Sequence, residues 1–196
     1  MTDDLLPVQA MAKLAHDEVV RQTQAWVEQL VIAKNLCPFA KLPYEQGRVR
    51  FIVSEATRPE QLLGDLLCEL RYLDTLSVKQ LETTLLIHPL ILQVFHDYHD
   101  FLALAEHLLK REGFKGIIQI ASFHPEYCFA GVDPLDPSHY TNRSPFPMLH
   151  LIREESLAKA LQHYPDPDAI PARNIELMQQ LGVNALQSLL HRIQRG

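Results

Sequence analysis

The sequence predicts an α/β fold: a small, mostly parallel sheet of three or four strands flanked by helices, with a long proline-rich loop and extra C-terminal helices. Two observations predict it. Strand-like runs at 48–53, 83–87 and 116–122 alternate with segments of helical periodicity, the pattern of β-α-β units with parallel strands and right-handed crossovers. The second and third runs, TTLLI and GIIQIAS, are apolar on both faces, as strands covered by helices on each side must be. An α+β arrangement with one antiparallel strand is the alternative. The chain reads as a single domain over 1–196: an N-terminal helix (1–35), a β-α-β-α-β core (48–123), a proline-rich loop (124–147) and C-terminal helices (147–196).

The first helix is expected over about 8–34, where Val19, Trp26, Leu30 and Ala33 recur at spacings of three, four or seven. It stops before Cys37-Pro38, because a residue ahead of proline is pushed out of helical geometry. A capping signal, Thr57-x-x-Glu60 with Pro59 in the first turn, opens the second helix and its stripe of Leu62, Leu66, Leu70 and Leu73. Cys68 shares that stripe and is expected in the core. The third helix carries Phe95, Tyr98, Phe101, Ala105 and Leu108 and ends at Gly113. A fourth is expected from about Pro147 to His163, apolar nearly all round. A fifth starts at Pro171 and is interrupted at Gly182, after which Asn184 caps a final short helix.

Composition narrows the function. With 196 residues, 47% hydrophobic and 21% charged, the chain can bury an ordinary core without staples and is not disordered. A net charge of −6 argues against duplex binding, which needs a basic footprint. No apolar run approaches the ~18 residues of a membrane span, and the start Met1-Thr2-Asp3-Asp4 lacks the basic character of a signal peptide. Three cysteines, none in a Cys-x-x-Cys pair, fit a reducing, cytoplasmic location.

Ligands of open parallel sheets usually bind beyond the carboxyl ends of the strands, which here deliver Ser54-Glu55, His88-Pro89 and His124-Pro125. The loop after His124 has little periodicity, five prolines and four aromatic residues, the marks of an ordered binding loop. It leads through Asn142-Arg143-Ser144 to the expected fourth helix, whose N-terminus with Arg143 makes an anion site. Arg153 extends that site. His124 and His150 are the acid–base candidates, and Cys37 is a candidate nucleophile paired with either histidine. The same residue types allow a soft metal site of Cys37, His124, Cys128 and His150.

Together the segments Asn35-Leu36-Cys37-Pro38-Phe39-Ala40, Glu82-Thr83-Thr84-Leu85-Leu86, Ser122-Phe123-His124-Pro125-x-Tyr127, Asn142-Arg143-Ser144-Pro145-Phe146-Pro147, His150-Leu151-Ile152-Arg153-Glu154 and Pro171-x-Arg173-Asn174 resemble a bacterial family known only as domain of unknown function 1415. The resemblance covers most of the chain and adds Arg173 and Asn174 to the candidates, but implies no activity and no cofactor. The leading expectation is a cytoplasmic enzyme or binder for a small phosphate- or carboxylate-bearing metabolite, bound by Asn142, Arg143, Ser144, Arg153 and Arg173. The alternatives are a metal- or cofactor-binding protein and an interaction module built on 171–195, where His191, Arg192 and Arg195 make the end locally basic.

Overall fold

The computed structural model describes residues 8–162 and 164–195, with side chains from residue 15 onward. The acidic start at Met1 and the expected helix end at His163 lie outside the described residues. Four strands, β1 (Val49–Val53), β2 (Thr83–Ile87), β3 (Ile118–Phe123) and β4 (Met148–Arg153), form one sheet in the order β1-β2-β4-β3. β1 and β2 are parallel, whereas β4 runs antiparallel to both β2 and β3. The sheet is therefore mixed, and the expectation of a mostly parallel one is corrected.

The correction comes from one segment. Residues 148–153 form a strand where a helix was expected, and the helix α5 (Glu154–Gln162) starts only after it. Met148, Leu149 and Leu151 are fully buried. A short run that is apolar all round is as much a strand buried on both faces as a helix buried on several sides. Insertion of β4 between β2 and β3 covers both its faces and pairs both its edges.

The remaining elements follow the sequence more closely. α1 (Val8–Trp26) passes into a π-helical stretch, Val27–Ile32, and the chain then turns at Asn35, whose φ is 53°. A short α2 (Lys41–Glu45) precedes β1. α3 (Pro59–Thr75) links β1 to β2, with Pro59 at its first turn and Gln61, rather than Glu60, accepting the Thr57 and Arg58 amide protons (3.0 and 3.2 Å). α4 (Phe95–Arg111) links β2 to β3. The long loop contains one 3₁₀ turn, Pro137–Thr141. α6 (Ala169–Leu181) and α7 (Val183–Arg195) meet at Gly182, whose φ of 75° breaks the helix as expected.

Side chains alternate across the sheet and feed two interiors. On one face Leu86, Ile118, Leu149 and Leu151 pack against the leucine stripe of α3 and the Tyr98, Phe101 and Ala105 face of α4. On the other, Leu85, Ile87 and Met148 meet Trp26 and Leu30 of the first helical segment, Tyr140 of the loop and Met178 of α6. Each fully buried leucine contributes roughly 2 kcal/mol of transfer free energy. Cys68 falls off the buried stripe of α3 and is exposed, against the core position expected for it.

Candidate functional site

The register aligns Val53, Ile87, Met148 and Phe123 across the sheet, so the ends of β1, β2 and β3 share one rim, as the sequence predicts. His88 and His124 both lie there, but neither opens on a binding space. His124 is fully buried. Its Nδ1 accepts the Glu126 amide proton (3.0 Å), so Nε2 carries the proton donated to the Leu92 carbonyl (3.0 Å). Burial lowers its pKa, and its ring packs against Tyr98 and Phe95 at 5.1 and 5.4 Å. His88 donates from Nδ1 to the Ile91 carbonyl (3.2 Å), stacks on Tyr98 at 5.7 Å, and is held by burial at a pKa of about 4. At this rim a shallow groove of about 650 Å³ also passes Asp65 and Glu69. Both acids already have partners, Ser54 at 2.5 Å and Arg50 at 2.8 Å.

The arginines expected to form an anion site are engaged by the protein itself. With 148–153 a strand, the helix N-terminus expected after Ser144 does not exist there. The Arg143 guanidinium donates through Nε to the Tyr127 carbonyl (3.2 Å) and lies 4.6 Å over the Tyr140 ring. Ser144 Oγ donates to the Phe146 carbonyl (2.7 Å) and is buried. Arg153 points to the α3 side and donates to the carbonyls of Leu73, Leu76 and Leu81, capping the C-terminal end of that helix. Arg173 donates to the Asn35 carbonyl, the Tyr164 hydroxyl and Asn174 Oδ1. Asn174 Nδ2 in turn donates to the Leu36 carbonyl (2.7 Å). These two residues of α6 clamp the turn that carries Cys37.

A large cavity lies instead on the second face of the sheet. It measures about 780 Å³, within the range of small-molecule sites. Its floor is made by alternate strand residues, Thr83 and Leu85 of β2, His150 and Ile152 of β4, and Ala121 of β3. The π-helical stretch, the 36–40 turn and the start of α6 wall it, with Trp26, Phe39, Phe123 and Phe129 supplying aromatic surface. Trp26 and Phe123 meet edge to face at 5.2 Å, and the Trp26 indole donates to the Arg143 carbonyl (3.1 Å). At the rim, Leu42 and Ile175 leave apolar surface exposed, and Arg48 pairs with Glu82 at 2.5 Å.

Of the expected site residues, Cys37, Asn142, His150 and Asn174 line this cavity. Asn142 Nδ2 holds the end of β3 through the Ser122 carbonyl (3.1 Å). Burial pushes the Cys37 thiol pKa up, against the pull of the Phe39 and Ala40 amides toward thiolate. His150 is held by burial at a pKa of about 4, so the imidazole is neutral near pH 7. Its Nε2 is bonded to Thr83 Oγ1 at 2.7 Å. Among the described residues, the buried side-chain atoms without a partner are Arg48 Nε, Thr84 Oγ1 and His88 Nε2. His150 Nδ1 is not one of them: it has no protein partner and is not sealed off, and His150 is one of the residues that line the cavity.

The four residues of the soft metal set are not gathered. Cys128 sits 3.6 Å from His139 Nε2 in the loop, His124 is closed off on the α4 side, and Cys37 and His150 face the cavity. Among the described residues no group of three such side chains is placed to hold a metal ion. His139 acts as a staple, accepting from the Phe129 amide (3.1 Å) and donating to the Asp133 carbonyl (2.8 Å). Thr83 and Trp26 also line the cavity but are not among the residues expected for a site. Thr83 belongs to the 82–86 segment of the resemblance and is one of two hydroxyls in the strand TTLLI. The C-terminal segment is packed inward through Met178, Leu186 and Ile193. No described helix is long and apolar enough to cross a membrane.

A family model described as a protein of unknown function (DUF1415) matches residues 18–188, and the chain belongs to that family. No curated protein and no solved structure matches it.

Proposed function

Starting from a family without an assigned activity, we propose that this chain binds a small organic molecule in the cavity over the second sheet face. The apolar walls take the body of the ligand, and His150 meets its polar group. One observation carries this reading: a space of about 780 Å³ whose floor presents a neutral imidazole with an unpaired ring nitrogen. Ligand sites are typically apolar pockets with a few convergent polar groups. The geometry supports His150 over His124 as the group that holds or takes a ligand proton, because both nitrogens of His124 are bonded to backbone. It favours a largely apolar ligand over the phosphate or carboxylate expected from the sequence, since Arg143, Arg153 and Arg173 all bond to protein groups. Cys37, Cys68 and Cys128 are free thiols, which supports placing the protein in a reducing, cytoplasmic compartment.

Trp26 is the only tryptophan in the chain and lines the cavity, so its emission reports occupancy. Titration with an uncharged, polarity-sensitive aromatic dye should move that emission saturably at one site per chain and raise the melting temperature. Ala121→Leu, which fills the floor, should abolish both changes while circular dichroism stays native. A dye that leaves Trp26 emission and melting unchanged, or that binds the filled variant equally well, overturns the proposal.

A further inference from the structure

We infer that the cavity selects uncharged aromatic molecules carrying a hydrogen-bond donor, a hydroxyl or ring N–H, because Thr83 locks His150 into presenting a bare acceptor. This rests on the binding reading above and names the ligand class of that site. The argument follows the protons. Thr83 Oγ1 lies 2.5 Å from the Leu151 carbonyl, which can only accept, so the single hydroxyl proton is committed there. The 2.7 Å contact with His150 Nε2 then requires Nε2 to be the donor. A neutral imidazole with its proton on Nε2 has a lone pair on Nδ1, the ring nitrogen left without a protein partner on a residue that lines the cavity.

Three ligand types meet this arrangement differently. A donor group satisfies the lone pair. An ether or other pure acceptor leaves it buried and unpaired, which costs more than the bond is worth. A carboxylate sets its own lone pairs against Nδ1, and among the described lining residues the arginine, Arg48 at the rim, already pairs with Glu82. The aromatic walls, with Trp26 and Phe123 already edge to face, favour a flat ring as the ligand body. Thr83 is accordingly a positioning residue, acting through His150.

Calorimetric titration of the full chain at pH 7 with 1-naphthol, its methyl ether and 1-naphthoate tests this. 1-Naphthol should bind about tenfold or more tightly than either of the other two. His150→Phe should bind the alcohol and the ether alike, and Thr83→Val should lose most of the preference while Thr83→Ser keeps it. Nitrogen NMR of the His150 ring should show the proton on Nε2 in the wild type and in Thr83→Ser, and lose that fixed state in Thr83→Val. Equal binding of alcohol and ether by the wild type, or a preference that survives His150→Phe, overturns the inference while leaving the binding reading intact. Failure of all three compounds to bind overturns both.

Discussion

Neighbouring residues of β2 look into two unlike interiors. Leu86 enters a space closed by two regular α-helices, α3 and α4, where Leu62, Leu66, Leu70 and Leu73 of α3 are fully buried. Leu85 enters a space assembled from a π-helical stretch, a turn, a 3₁₀ segment and the start of α6. Regular helices place side-chain ridges at constant spacing and fill the grooves of what they cover. Irregular pieces do not, and the second face keeps a cavity of about 780 Å³. The place of the cavity is thus set by which face received the irregular cover, not by where the strands end.

The largest test of that contrast is truncation on each side. Leu66→Ala should destabilise the chain by about 3 kcal/mol in urea denaturation, because close packing cannot collapse around the void. Val31→Ala, on the cavity wall, should cost less than about 1 kcal/mol, since its neighbours already border open space. Similar losses at both positions would erase the distinction.

Acid provides the next test. His88 on the closed side is held at a pKa of about 4 against an ordinary 6.5, so between these values the unfolded chain binds more protons than the folded one. Stability is therefore complete above about pH 6.5 and declines as pH falls toward 4, by up to about 3 kcal/mol from this group. Melting curves across that window should slope less for His88→Phe than for the wild type. An unchanged slope would show that His88 carries no such linkage.

Overpacking gives the smallest effect and the sharpest contrast. Ala105→Leu, on the buried face of α4, should cost roughly 1–3 kcal/mol, whereas Ala121→Leu on the cavity floor should stay within about 0.5 kcal/mol of the wild type. Equal penalties, measured by thermal denaturation, would mean that the floor of the cavity is as tightly filled as the leucine face.

Much of this architecture is legible in the sequence through periodicity. The helix stripes, the Gly182 break and three of the four strands announce themselves by spacing and by turn residues. β4 does not, because an inserted strand buried on both faces loses the alternation that marks a strand, and six residues are too few for length to decide. That one misreading moved the expected anion site, since a helix starting at Pro147 would have aimed its N-terminus where Arg143 instead stacks on Tyr140. The candidate site is half legible: Cys37, Asn142 and His150 are chemically conspicuous and share the cavity. Thr83 and Trp26 join them only through the register of β2 against β4 and the path of the first helix, which pairwise spacing does not encode. His124 and His150 read as equal candidates for the same reason in reverse, since nothing in the sequence shows that both nitrogens of His124 are taken by backbone.

The position of β4 bears on how the chain acquires its shape during synthesis. The strand that joins β2 to β3 leaves the ribosome after both of them, so before residue 148 emerges β3 lacks the strand partner it has in the finished sheet. Threading a central segment between strands already made requires distant contacts to form together, which slows folding. Until then the edges of β2 and β3 lack the strand that joins them, and an open edge is a template for pairing with another chain.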